Sequence, residues 1–347
     1  MENGKVRFRT SQDVKEYKPD TNRLFSATHE EILSGATADV YFVKTQEILE
    51  LLGKNDTVVT AEIFTSRAGV LAGVPECLEL LKDLPVEVWA VDEGETFAEK
   101  DTVLRIIGPY SAFGPYETAL LGILASSSGW ATAARECREA APGVPLVCFG
   151  SRHIHPAVAP VMERASIVGG LDGAACILGA KLAGKEPVGT IPHALVLIVG
   201  DTVKAAVAYD KYMGPDSPRT ILVDTFNDEA QEALRVAEVL GERLGGVRLD
   251  TPHERGGVTE GLVREVRARL DQAGFNHVKI FVSGGLNPER IAQLSAAGAD
   301  AFGVGSYITR ARPIDMTMDI KEIEGKPIAK RGRIPGQVPN PKLKRVK

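Results

Sequence analysis

Long apolar runs are missing from this sequence, and so is any excess of basic residues. Every apolar stretch is interrupted well before the ~20 residues that a membrane-crossing helix needs, so no membrane partner is expected. The opening MENGKVRFRTSQDVKEYKPD is polar and lacks the hydrophobic stretch of a secretory leader, which predicts a cytoplasmic protein. Forty-one Lys and Arg against 46 Asp and Glu leave a net charge of −5. That balance supplies no field to draw in nucleic acid. Four cysteines, Cys77, Cys137, Cys148 and Cys176, are too dispersed for a metal knuckle or a CxxC pair. They read as buried thiols in a reducing compartment. What the chain does hold is glycine, 35 in 347 residues, above the usual ~7%. Many follow apolar runs directly, where tight strand-to-helix turns belong. Hydrophobic content of 44% and charged content of 25% describe a globular chain with a full core. The length suits a barrel of roughly 200 residues with one smaller companion.

Residues 1–25 read as a mobile N-terminal arm, with the first ordered element near Leu24. Residues 26–115 read as an α+β domain, with strands at TVVTAEIFT (57–65), VEVWAV (86–91) and TVLRIIG (102–108) and a turn, DEGETF, between the last two. The Ala/Leu-rich stretch from Tyr116 to Ala141 predicts a long helix, with Ser126 to Gly129 as the place for a break. From Pro145 a short apolar run, a glycine turn and a helical pattern repeat, the signature of parallel βα units. Strands are expected at PLVCF (from 145), ASIVGG (165), PVGT (187), TILVD (220), GVRLD (246), VKIFVS (278) and ADAFGVG (299). The helix after the fourth repeats Ala230, Ala233, Leu234, Ala237, Leu240 and Leu244 on one face, and sets Glu229, Glu232, Arg235, Glu238 and Arg243 on the other. Another helix opens with Asn287-Pro288, a capping residue and a proline at the first helical position. The expected fold is α/β: an irregular barrel of about seven strands over 116–312, with the α+β N-terminal domain joined by the C-terminal tail 313–347.

In parallel βα barrels the loops after the strands converge, so the residues that end the strands carry the chemistry. In order they are Ser151-Arg152-His153-Ile154-His155, Asp172, Thr190 with His193, Asp224-Thr225, Asp250-Thr251, Ser283-Gly284-Gly285 and Gly303-Val304-Gly305-Ser306. The glycines of SGGLN and FGVGS leave backbone N–H groups open, and the helix starts that follow add positive potential suited to a phosphate. They fall in the last two units, where barrels commonly hold phosphate. Asp224 and Asp250 end neighbouring strands, within reach of one magnesium ion or of ribose hydroxyls; either one also suits a helix cap. Arg152 is placed to grip a phosphate or a carboxylate bidentately. His153, His155 and His193 suggest anion binding or phosphoryl acceptance, because imidazole accepts and releases a phosphoryl group readily.

This series of strand ends resembles the type II phosphoribosyltransferases that act on nicotinate, nicotinamide and quinolinate. The resemblance rests on FGSRHIHP (149–156), GGLDGA (169–174), GTIPHAL (189–195), LVDTFND (222–228), VRLDT (247–251), FVSGGLN (281–287) and FGVGSYIT (302–309), in the family's order. TADVYF (37–42) adds a similarity to the compact nicotinate enzymes of archaeal type. The resemblance implies transfer of the 5-phosphoribosyl group from phosphoribosyl pyrophosphate to nicotinate, giving nicotinate mononucleotide and pyrophosphate for NAD synthesis. The transition state would be a sugar cation, stabilised mainly by orientation and electrostatics. On this reading Ser283, Gly284, Gly285, Gly303 and Gly305 hold the 5′-phosphate, and Asp224 and Asp250 position ribose hydroxyls and Mg2+. Arg152 meets the acceptor carboxylate or a donor phosphate, with Asp172, His155, Thr190 and Thr225 also on the substrate pocket. His193 matches the histidine that relatives phosphorylate from ATP, although the proline before it departs from their GTxAH form. Tyr41 and Phe42 match aromatic positions that reach across a dimer to sandwich the pyridine, which implies a homodimer or higher homo-oligomer with shared active sites. The tail AKRGRIPGQVPNPKLKRVK has no cysteine, so the structural zinc of archaeal-type relatives is not expected.

Two other chemistries compete. A quinolinate enzyme must hold a second carboxylate and expel carbon dioxide, which calls for several cations. Arg152 stands where that enzyme looks like RKTxPG, and PHA replaces its HR pair, so the sequence favours one carboxylate. A barrel aldolase would need a Schiff-base lysine, for which Lys279 is the strand candidate. A non-catalytic nucleotide regulator is a third reading, against which the two acidic strand ends argue.

Overall fold

The computed structural model describes residues 8–214 and 217–347. It divides into two units: the chain up to Thr132 together with Arg312–Lys347, and Ala133–Ala311. In the first unit, β-branched and aromatic residues alternate with polar ones to form β1 (Val58–Thr65), β2 (Gly69–Val70), β3 (Glu87–Ala90), β4 (Thr96–Phe97) and β5 (Thr102–Pro109). β5 lies antiparallel between β1 and β3. The segment read as the turn DEGETF in fact supplies β4, which pairs with β2. Ile63, Leu104, Ile106, Phe113, Leu120 and Leu124 form the wholly buried centre of this unit. Burial of each contributes about 1.5–3 kcal/mol.

The helix Glu117–Ala140 runs without the break expected at Ser126–Gly129. Its small residues serve packing: the Ser128 hydroxyl accepts a hydrogen bond from the Ala72 N–H at 3.1 Å, and the Thr132 hydroxyl donates to the Ser128 carbonyl at 2.7 Å. The expected mobile arm is also corrected over 8–25, while residues 1–7 lie outside the described residues. Phe8 is buried with its ring 5.0 Å from Tyr17. A helix, Ser11–Glu16, starts on a capping box of Thr10 and Asp13, and Ser11 is tied to Glu47 through its N–H and hydroxyl. Polar caps fasten this segment, so hydrophobic periodicity does not reveal it.

The second unit is built from β6 (Leu146–Cys148), β7 (Gly173–Ala174), β8 (Thr220–Leu222), β9 (Gly246–Leu249), β10 (Lys279–Ser283) and β11 (Ala301–Val304). Their order is β7-β6-β11-β10-β9-β8, and every pairing is parallel. The α/β barrel architecture is therefore present with six paired strands among the described residues. ASIVGG, expected as a strand, belongs to the helix Ala159–Val168, and PVGT forms no strand. The strand that occupies the second place is the pair Gly173–Ala174, too short and too small to show as an apolar run. Asn287 caps the helix Pro288–Ala296 by accepting from the Arg290 N–H at 2.8 Å. Among the described residues no helix is long and apolar enough to cross a membrane.

The tail returns to the first unit as β12 (Met316–Ile323), β13 (Lys326–Pro327) and β14 (Lys344–Arg345). They complete a six-stranded sheet in the order β13-β12-β1-β5-β3-β14. The Val338 N–H donates to the buried Glu62 carboxylate, which also pairs with Arg105 at 2.7 Å.

Candidate active site

Parallel register brings the carboxyl ends of the barrel strands to one edge. Ser283 at the end of β10 lies beside Gly303 of β11, and Leu249 of β9 lies beside Val282. Two adjoining clefts open there. One, of about 260 Å3, is lined by Phe149, Ser151, Arg152, Glu163, Ala175, Gly189, Thr190 and Arg248. The other, of about 220 Å3, shares Phe149, Arg152 and Arg248 and adds His153, Asp250, Ser306 and the two glycine turns at Ser283–Gly285 and Gly303–Gly305. Gly284 and Gly285 have φ of 90° and 62°, a left-handed path that keeps side chains out of the second cleft. Open backbone of this kind suits an anion.

Arg248, which the sequence reading passed over as an ordinary strand residue, is the hub of both clefts. Its Nε donates to the Ser283 hydroxyl at 2.8 Å, its Nη1 to the Thr190 hydroxyl at 2.9 Å and its Nη2 to Asp250 at 3.2 Å. Its guanidinium lies over the Phe149 ring, 5.2 Å from the centroid, and Phe149 stacks on Phe281. Burial lowers the hold of Arg248 on its proton, and the charges of Asp250 and Asp224 oppose that loss. Arg152, on the turn Ser151–His153 after β6, is exposed and makes no ion pair among the described residues. One cleft thus holds two guanidiniums: Arg248, with three of its five N–H groups engaged by protein, and Arg152, with no ion pair among the described residues.

Asp224 follows β8 with its carboxylate fully shielded, and its Oδ2 lies 3.0 Å from Nε2 of His193. Burial raises the Asp224 pKa above the ordinary carboxylate value, while the bond to His193 pulls the other way. Its Oδ1 and the Thr225 hydroxyl are buried without a hydrogen-bond partner among the described residues. Asp250 is held by Arg248 and by the Ser283 hydroxyl, which donates to it at 2.7 Å.

Other expectations fail on geometry. Asp172 does not line the pocket: it precedes β7 at the opposite edge of the sheet, accepts from the Leu146 N–H at 2.8 Å and pairs with Arg138. The error follows from reading ASIVGG (from 165), whose first four residues end the helix Ala159–Val168, as a strand. His155 lines neither cleft; its Nδ1 accepts from the Ala157 N–H, and His153 is the histidine on the second cleft. Phe42 is buried in the first unit, whereas Tyr41 beside it is exposed, with ring centroids 4.4 Å apart. Glu229 and Glu232, on the helix face opposite the apolar one, are buried; Glu229 accepts from the Thr251 hydroxyl at 2.8 Å. Lys279 is exposed at the start of β10, paired with Asp300, so no Schiff-base lysine faces the mouth from that strand.

Polar and charged groups collected at the carboxyl edge of a parallel sheet, with an α+β unit in the same chain, define the class as a two-unit α/β barrel protein. Comparison with known proteins narrows it. Models of the N-terminal and C-terminal domains of quinolinate phosphoribosyl transferase match residues 39–128 and 130–319, and the chain belongs to that family of phosphoribosyltransferases. A crystal structure of a nicotinate-nucleotide pyrophosphorylase from Pyrococcus furiosus is similar at a TM-score of 0.86 and 48% identity, covering 91% of this chain and 82% of that one. A nicotinate phosphoribosyltransferase of Mycobacterium tuberculosis is 32% identical over 250 residues, 69% of this chain and 52% of its own. A probable carboxylating nicotinate-nucleotide pyrophosphorylase of Methanothermobacter thermautotrophicus is 23% identical over 301 residues, 83% of this chain and 96% of its own. The chain therefore spans about half the length of the first of these curated relatives and nearly all of the second.

These findings correct the expectation that nicotinate is the acceptor. Both domain models are of the quinolinate type, and a solved relative at 48% identity, matched over most of both chains, is a nicotinate-nucleotide pyrophosphorylase. The sequence placed quinolinate second, as the competing acceptor, because Arg152 was the one cation counted at the strand ends. Arg248 lines the same cleft as Arg152.

Proposed function

We propose that the chain transfers the 5-phosphoribosyl group from phosphoribosyl pyrophosphate to the ring nitrogen of quinolinate, with loss of carbon dioxide, giving nicotinate mononucleotide and pyrophosphate. The observation that carries this reading is the pair Arg152 and Arg248 on one cleft that continues into a second lined by glycine turns. Two guanidiniums match two adjacent carboxylates, and Thr190 adds a hydroxyl. The turns at Ser283–Gly285 and Gly303–Gly305 suit the 5′-phosphate. In the transfer, the ribose C1–oxygen bond to pyrophosphate breaks as the bond to the ring nitrogen forms. The carbon–carbon bond to the 2-carboxylate then breaks to release carbon dioxide, its electron pair stays on C2 beside the positive ring nitrogen, and that pair takes a proton from water. Asp224 and Asp250 place negative charge beside the sugar cation, and His193 orients Asp224.

Magnesium fits this site in one way. Among the described residues no group of three His, Cys, Asp or Glu side chains is arranged to enclose a metal, but Asp224 keeps a buried, unpartnered oxygen. Mg2+ commonly takes one or two carboxylates together with substrate phosphates and water, so Asp224 and Asp250 would hold it. Bound there, it would neutralise the leaving pyrophosphate. ATP has no step in this scheme, because loss of carbon dioxide already drives the transfer. Tyr41, Ile48 and Leu51 are left exposed on the helix Val40–Leu51, a face suited to a second copy of the chain in a homo-oligomer.

The test is an assay of pyrophosphate and carbon dioxide release with quinolinate, nicotinate and nicotinamide, each with and without ATP. The expected result is equimolar release of both products from quinolinate, unaffected by ATP. Turnover of nicotinate with none of quinolinate overturns the reading.

A further inference from the structure

Glu163 has no part in the scheme above, yet it is the most deeply placed charge beside the acceptor cleft. It sits in the helix Ala159–Val168 at 0% exposure. A carboxylate is rarely buried so completely unless a cation or several donors satisfy it. No ion pair reaches it among the described residues, but three donors do. Oε1 accepts from the Ser151 hydroxyl at 2.6 Å and from the Ser151 N–H at 3.1 Å, and Oε2 accepts from the Cys176 N–H at 2.6 Å.

Those donors come from two loops that sequence does not connect. Ser151 opens the turn that carries Arg152 after β6; Cys176 follows Ala175 after β7 and caps the helix Ile177–Leu182. Ser151, Arg152 and Ala175 all line the cleft assigned to the acceptor. Arg152 itself makes no ion pair among the described residues that would hold it, so its backbone turn is what fixes its position. We infer that Glu163 is a positioning residue: its carboxylate clamps the Ser151–His153 turn to the Ala175–Cys176 loop, and so sets Arg152 at the distance the acceptor's carboxylate requires. The inference rests on the reading of that cleft as the acceptor site.

The amide of Glu163→Gln keeps the shape but turns one acceptor into a donor, which must then face Ser151 or Cys176. The expected kinetic signature is a rise of about tenfold in KM for quinolinate, the scale of one charge-assisted hydrogen bond. KM for the ribosyl donor and kcat should each move by less than about twofold. Ser151→Ala, which removes only the hydroxyl, should give a smaller shift in the same direction, and the double variant should fall short of the product of the two effects. Amide hydrogen exchange reads the clamp without turnover: Glu163→Gln should speed exchange at Ser151–His153 and at Cys176 together and leave the helix Glu229–Leu240 unchanged. If quinolinate is not a substrate at all but both loops still loosen together, the clamp stands and the acceptor reading falls. An unchanged quinolinate KM in an enzyme that turns it over, or exchange rising evenly over the whole unit, overturns the inference.

Discussion

Arg248 shows how one residue changes the chemistry inferred for the site. Strands of a parallel barrel are buried on both faces and ordinarily apolar, so an arginine in the middle of Gly-Val-Arg-Leu was itself a signal that a ligand-facing charge was needed there. The reading of strand ends alone could not use it, because Arg248 lies two residues before Asp250. Its planar fork serves three acceptors at once, which an ammonium cannot reproduce. Arg248→Lys should therefore cost about 2 kcal/mol of transition-state binding, roughly 30-fold in kcat/KM for quinolinate. Steady-state kinetics check this, and a variant with parent-like kcat/KM would remove Arg248 from the acceptor site. Arg152, His193, Asp224, Asp250 and the two glycine turns were legible as strand ends. Asp172 and His155 were not placed correctly, because the side on which a loop residue lies depends on which neighbouring segment is the strand.

At the level of elements, the helix Ala159–Val168 and the strand β7 mark where local pattern was outweighed. Ala165-Ser166-Ile167-Val168 has strand-like composition, but Ala159, Met162, Glu163, Ala165 and Ser166 are the buried positions, a helical spacing. Gly173–Ala174 is a strand only because Val147 and Cys148 lie beside it to accept and donate hydrogen bonds. β11 shows the opposite case, where a glycine read for its turn has a packing role. A Cβ on Gly303 would stand 2.5 Å from the Phe149 ring, the same ring on which Arg248 rests. Gly303→Ala should push Phe149 against Phe281 and Arg248, lowering stability by about 1–3 kcal/mol and weakening quinolinate binding in parallel. Denaturant titration and calorimetric binding measure the two effects. Loss of stability with unaltered binding would show that Phe149 does not transmit the strain to the cleft.

At the level of the whole chain, the first unit is assembled from segments hundreds of residues apart, and its electrostatics belong to that assembly. Glu117 is half-buried, and burial first, then the charges of Asp319 and Asp39, push its carboxyl up to about 7 from 4.5, with Lys330 opposing. A carboxyl whose folded pKa lies above its unfolded one favours folding when protonated. Its contribution is complete below about pH 4.5 and is lost as pH rises through about 7. The first unit of the parent should therefore lose stability between pH 5 and pH 8 on this account. Glu117→Gln, neutral throughout, should narrow that difference. Thermal unfolding of both proteins at the two pH values tests it, and an equal difference in each would exclude Glu117 as the source.

By itself the sequence determined the local chemistry: alternating strand and helix segments, glycine turns at the strand ends, an Asn-Pro helix start, and acidic and basic residues at the sites of chemistry. These follow from short-range sterics and hydrogen bonding, which neighbouring residues decide. Only the tertiary structure decided that Arg248 points into the cleft of Arg152, that Glu163 joins two loops, that Asp172 lies at the far edge, and that the tail, expected to join the first unit, does so as strands of its sheet. Each of those depends on parallel register and on charges buried between distant segments, and such pairings arise from packing the whole chain.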